Sequence, residues 1–172
     1  NREVGFLRTA YLILQNLGSK NLEVLNMYTE AREDSTFEMN GIFQAVLKFP
    51  HLKKLSFRQR VEFNDVFLTR LDQITHLDLH QASVPKLAGL FSLENIRSFD
   101  YYFPHDGDTD YYNQVFKIVS QMFSLQNLTL VAPKGKKRAL EDQCFDNFLI
   151  GIHDLKRLER IRVSFDNIFI SK

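Results

Sequence analysis

The chain has 172 residues, enough for one domain or one array of short repeats, and its 44% hydrophobic and 25% charged content argues against disorder over most of its length. A net charge of +1, from 22 basic and 21 acidic residues, argues against a dedicated nucleic-acid binder. The single cysteine, Cys144, excludes a disulfide framework and points to a reducing compartment, so the expected location is intracellular, in cytoplasm or nucleus.

In chain order, REVGFLRTAYLILQNL reads as a helix and NLEVLNMY as a short strand. STFEMNGIFQAVLKF follows as a helix, capped by Ser35 or Thr36, with Phe37, Ile42, Phe43, Val46 and Leu47 mostly on one face. HLKKLSFR is a strand, EFNDVFLTRL a helix, QITHLDLH a strand and SVPKLAGLFSL a shorter helix with Ser83 as cap. ENIRSFDYY is a strand. TDYYNQVFKIVSQMF then sets Tyr112, Val115, Phe116, Val119 and Phe123 at helical spacing behind Thr109 or Asp110. SLQNLTLV is a strand, EDQCFDNFLIGIHDL a helix with Cys144, Phe145, Phe148, Leu149 and Ile152 on its apolar side, and KRLERIRVS the last strand. The apolar runs AYLIL and FLIGI fall far short of the roughly 20 residues that cross a bilayer, and no membrane partner is expected. With Asn1 at its start and FISK at its end, the chain reads as a piece of a longer protein.

The six strand segments share the pattern apolar-x-x-apolar-x-apolar, with middle positions Leu25, Leu55, Leu77, Phe99, Leu128 and Ile161. A random chain of this composition would show roughly 14 such triples, so the pattern alone decides nothing. Three further features carry the weight. Five segments have another apolar residue three places earlier (Phe49, Leu71, Leu93, Met122, Leu155), every first position is Leu or Ile, and a helix fits each gap. A strand, turn, helix and return every 22 to 33 residues describes one coil of a solenoid, whose apolar faces are buried only by stacking on neighbours.

FPHLKKLSF, LDQITHLDL and FSLQNLTL resemble leucine-rich repeats, and the resemblance runs from Leu14 to about Phe165. The irregular coils and aromatic-containing helices resemble the ribonuclease-inhibitor-like subclass, including the substrate-binding repeats of F-box proteins. The resemblance implies an α/β fold: one array over residues 1–172, a leucine-rich-repeat solenoid of about six coils, with parallel strands on a concave face and helices on the convex one. It also implies a non-catalytic module that binds a protein partner on the concave face, as the substrate receptor of an F-box-type ubiquitin ligase does. The chain itself carries no F-box stretch. The usual turn Asn or Cys is replaced by Glu30, Arg60, Ala82, Pro104, Pro133 and Asp166, so the turns require another stabiliser and the array is expected to be irregular.

With the apolar positions inward, the residues between them line the opposite face. The first row is Val24, Lys54, His76, Ser98, Asn127 and Arg160, and the second is Asn26, Ser56, Asp78, Asp100, Thr129 and Arg162. The third is Tyr28, Arg58, His80, Tyr102, Val131 and Ser164. Partner contact is assigned to Tyr28, Arg58, Asp78, His80, Asp100 and Tyr102, with Arg160 and Arg162 at the far end, because aromatic and Arg side chains dominate protein interfaces.

Other groups carry less. His76 and His80, four apart on a strand, stand roughly 13 Å apart and cannot share an ion. The basic run PKGKKR, residues 133–138, suits phosphate, an acidic partner or nuclear localisation, or else a solvated loop. HDGDTDYY lacks the Glu of a calcium loop, since Lys117 stands in its place, and reads as a charged turn before a helix. Cys144 is expected to be an inert core thiol. With no Gly-rich phosphate loop, HExxH or nucleophile elbow, no catalytic, cofactor or metal site is assigned. The competing readings are an architectural segment of a permanent assembly, packed against further subunits, and an α/β enzyme domain.

Overall fold

Short apolar triplets alternating with polar residues favour extended chain, and most of the strands form on such segments. The computed structural model describes residues 13–14, 21–27, 37–38, 45–62, 71–80, 89, 91–104, 109–132, 142–165 and 168–171. Its strands are β1 (Val24–Met27), β2 (Phe37–Glu38), β3 (Lys54–Glu62), β4 (His76–His80), β5 (Ser98–Tyr102), β6 (Asn127–Val131), β7 (Arg160–Phe165) and β8 (Ile168–Ser171). Two helices are described, α1 (Thr109–Val119) and α2 (Asp142–His153), with one 3-10 turn at Leu93–Asn95. The protein is therefore of the α/β class.

Six strands run parallel in the order β1-β3-β4-β5-β6-β7. β8 adds an antiparallel strand beside β7, and β2 pairs with the far end of β3. Apart from β2, spatial order follows chain order without reversal. A doubly wound nucleotide-binding sheet instead reverses order at a switch point, where its ligand crevice opens.

The register aligns the apolar triplets. Leu25, Leu55, Leu77, Phe99, Leu128 and Ile161 are successive partners across the sheet, as are Met27, Phe57, Leu79, Tyr101, Leu130 and Val163. A repeated backbone arrangement precedes each strand from β3 to β7. The amides of Leu52, Ile74, Ile96, Leu125 and Leu158 each donate to the carbonyl three residues earlier, on Phe49, Leu71, Leu93, Met122 and Leu155. These are the extra apolar positions of the sequence pattern. One carbonyl in the preceding segment then accepts two successive amides. Glu23 takes those of Lys53 and Lys54, Lys53 those of Thr75 and His76, and Thr75 those of Arg97 and Ser98. Arg97 does so for Gln126 and Asn127, and Gln126 for Glu159 and Arg160. These backbone bonds tie the start of each strand from β3 to β7 to the segment before it.

The helices cover the apolar face. In α1, Val115, Phe116, Ile118 and Val119 are buried, while Asp110 in its first turn and Lys117 in its last complement the helix dipole. The helix stops at Val119, not Phe123 as expected. The Lys117 carbonyl accepts the Ser120 hydroxyl at 2.8 Å and the Gln121 amide at 3.2 Å, and two tight turns follow, leaving Phe123 61% exposed. In α2, Phe148 is buried and Phe145 and Ile152 flank it, but Leu149 is 40% exposed rather than inward. Cys144 lies in α2, its side chain outside the described set.

The expected helix over 35–49 is corrected at its start. Phe37 and Glu38 are a strand paired with Val61 and Glu62, and residues 45 and 46 are helical. Glu62 consequently ends β3 rather than starting a helix. The expected helices over 2–17, 62–71 and 83–93 fall largely outside the described residues.

Non-local aromatic packing closes the core. The Phe103 ring stacks on Tyr112 at 4.3 Å and meets Phe165 at 5.8 Å, and Phe116 meets Phe148 at 4.6 Å. The buried Tyr101 hydroxyl bonds that of Tyr111, and burial first, then Tyr111, holds the Tyr101 phenol well above its ordinary pKa. Leu77 and Leu128 sit in the middle of this core, each 1% exposed. L77A and L128A should each cost about 2–5 kcal/mol in urea unfolding, whereas F123S should cost less than about 0.5 kcal/mol.

Candidate functional site

A parallel sheet is ordinarily covered on both faces. Here β4, β5 and β6 alternate strictly between buried and half-buried positions, so one face is packed and the other is partly open. The open face carries the first two predicted rows in the predicted register, Val24 to Arg160 and Asn26 to Arg162.

The third row is corrected at β3. Between Phe57 and Arg60 the register shifts, so that Arg60, and not Arg58, is the partner of His80. Two extra residues, 58 and 59, form a bulge that takes Arg58 out of the row, and its side chain is exposed. The rest of the row runs His80, Tyr102, Val131, Ser164. Tyr28 lies outside the described residues, as do the basic run 133–138 and residues 105–108 of the acidic loop.

Four predicted residues meet on β4 and β5. Asp78 and Asp100 are register partners, and so are His80 and Tyr102. The His80 and Tyr102 rings stack at 3.9 Å with an 18° interplanar angle. Ser56 donates to Asp78 Oδ2 at 2.7 Å. Asp78 Oδ1 is occluded and has no hydrogen-bond partner; His80 Nε2 stands 3.8 Å away, close enough for charge attraction and too far for a hydrogen bond. Ser56 belongs to the outward row yet is only 2% exposed. Reading the rows alone left its role unassigned; the signal was its register position beside Asp78, where a hydroxyl can satisfy a carboxylate.

Electrostatic reach extends the cluster to both flanks. Burial raises the Tyr102 phenol, Asp78 and Asp100 add to this, and Arg162 and Arg58 oppose it. Arg58 and Arg162 therefore act on the cluster from either side. Arg160 stands apart, on the row of His76, Ser98 and Asn127. His76 meets the Thr75 hydroxyl at 2.9 Å through Nδ1.

Burial lowers the His80 imidazole below 6.5, Asp78 opposing and Arg58 reinforcing; burial likewise lowers His76, reinforced by Lys54 and Arg97 and opposed by Asp100. Desolvation therefore outweighs the nearby carboxylate at His80. Among the described residues no cluster of three metal-ligating side chains occurs, and no helix is long and apolar enough to cross a membrane. No family model, curated protein or solved structure matches the chain.

A lowered folded-state value means that the unfolded chain binds more protons as pH falls through 6.5. The stability held by neutral His80 and His76 is thus present above that pH and lost below it. The thermal midpoint should fall between about pH 7.5 and pH 5.5, and H80F, which keeps a ring against Tyr102, should show a smaller fall. Equal slopes for the two proteins would remove His80 from the account.

Proposed function

We propose that the chain is a non-catalytic protein-recognition module, a leucine-rich-repeat solenoid of about six coils whose open sheet face receives a partner protein. The observation that carries this reading is the recurrence, at five successive strands, of one turn and one doubly accepting carbonyl beneath an in-register parallel sheet with one open face. Such a surface is fixed before binding, so association loses little conformational entropy. Its polar residues stand on strands rather than loops, which holds Asp78, His80, Asp100 and Tyr102 in set relative positions. Within this class, a substrate receptor of the F-box type is what the resemblance implies. The lone cysteine in 172 residues supports an intracellular setting.

A second reading, an architectural segment of a permanent assembly, is favoured by Phe123, Leu149 and Ile150, which are large, apolar and exposed on the helix side. The two readings place the interface on opposite sides of the sheet, and variants separate them. R58A and Y102A should each leave the far-UV circular dichroism spectrum unchanged. Each should weaken capture of the bound protein from cell extract, by about tenfold for Y102A. F123S and I150S should leave that capture intact. Unchanged capture by both R58A and Y102A would exclude the open face, and loss confined to F123S and I150S would favour the architectural reading.

A further inference from the structure

Charges on the open face are sorted by strand. Asp78 and Asp100 occupy adjoining positions on β4 and β5, while Lys54 and Arg58 stand on β3 and Arg160 and Arg162 on β7. Among the described residues, none of these six is ion-paired with an oppositely charged lysine, arginine, aspartate or glutamate. Geometry explains part of this. Asp100 and Arg162 occupy the same row with Thr129 between them, two strand spacings or about 10 Å apart. Adjacent like charges on neighbouring strands cost stability, and among the described residues the side-chain donor to the pair is Ser56. Asp78 is taken up within the fold, with Oδ1 occluded and Oδ2 bonded to Ser56, which leaves half-buried Asp100 as the carboxylate a partner can reach. One residue pair further along the strands stands the His80–Tyr102 stack, so a cation at Asp100 adjoins the Tyr102 ring.

We infer that the open face binds an extended segment of the partner that carries an arginine at Asp100, beside Tyr102, and a carboxylate side chain about 10 Å further on, at Arg162. This rests on the proposed recognition role of the same face. Arginine suits the site better than lysine, because its planar guanidinium can take both oxygens of the Asp100 carboxylate and still lie beside the phenol ring. A polyproline-type segment rises about 3.1 Å per residue with three residues per turn, so an Arg and a Glu three apart point the same way about 9 Å apart. Charge complementarity in both signs, and not acidity alone, defines this partner.

The probe is a polyproline host peptide carrying Arg and Glu three residues apart, compared with the same host carrying two Glu, or Arg and Gln. Binding is followed by amide chemical-shift changes in the intact chain at low salt. The Arg–Glu peptide should move the resonances of residues 78, 100 and 102 and bind at least about fivefold more tightly than the Glu–Glu peptide, with Arg–Gln between them. D100N should abolish the preference, and D100R should reverse it. Shift changes need no variant, so a misfolded D100R does not obscure the result. Equal binding of the Glu–Glu peptide, shifts that map elsewhere, or no binding up to millimolar concentration would overturn the inference. Should R58A and Y102A still impair protein capture while the peptides show no charge preference, the recognition role stands and the arginine assignment falls. Unimpaired capture removes both.

Discussion

The structure depends on lateral registration of its short parallel strands. Leu25, Leu55, Leu77, Phe99, Leu128 and Ile161 form one row and the residues two further on form the next. A slip of one residue at any junction would turn every apolar side chain of that strand to the open face and bring charge into the core. Two devices oppose the slip. Alternation makes the wrong register costly, and the doubly accepting carbonyl before each strand from β3 to β7 ties its first amides to the segment before it. The turn that brings the chain to that carbonyl is anchored by a buried residue, Phe49, Leu71, Leu93, Met122 or Leu155, so core packing and register reinforce one another.

The same alternation creates the polar face. Once Leu77 and Leu79 are inward, His76, Asp78 and His80 have no other direction available, and their counterparts on β5 stand beside them. The consequences are costly for the fold: a carboxylate oxygen without a hydrogen bond, two Asp in adjoining positions, and imidazoles held neutral by burial. Each such feature is of order 1 kcal/mol and is tolerable only because the opposite face buries a continuous apolar layer. Of the two carboxylates, Asp78 is closed off and half-buried Asp100 is the one within a partner's reach.

The parts legible in sequence were those set by local periodicity. Strand positions and their alignment followed from the apolar triplets, and α1 and α2 from helical spacing around Phe116 and Phe148. The failures have local or long-range causes. α1 stops early because Ser120 and Gln121 take the Lys117 carbonyl, a competition between side chains and backbone that spacing does not display. Phe37–Glu38 becomes a strand because β3 runs on far enough to pair with it. The packing of Phe103 against Phe165 joins residues 62 apart and leaves no periodic trace. At the candidate site, Asp78, Asp100, His80 and Tyr102 were placed together by alignment alone, and Arg58 was misplaced because nothing in FRQR marks a bulge.

That bulge changes what Arg58 can contribute. A residue inside the ladder has its side chain directed by the pleat, as Asp78 and Tyr102 have; a bulged residue is released from it and re-aimed. Arg58 is exposed, yet its charge still lowers His80 and opposes the rise at Tyr102. It therefore sits at the rim of the cluster, in reach of it but not packed into it. Rim charges chiefly govern the approach of a partner, while half-buried, geometrically fixed groups govern which partner stays. On the proposed reading, β3 and β7 supply the attraction and β4 and β5 the discrimination. The division follows from where the register holds and where it breaks.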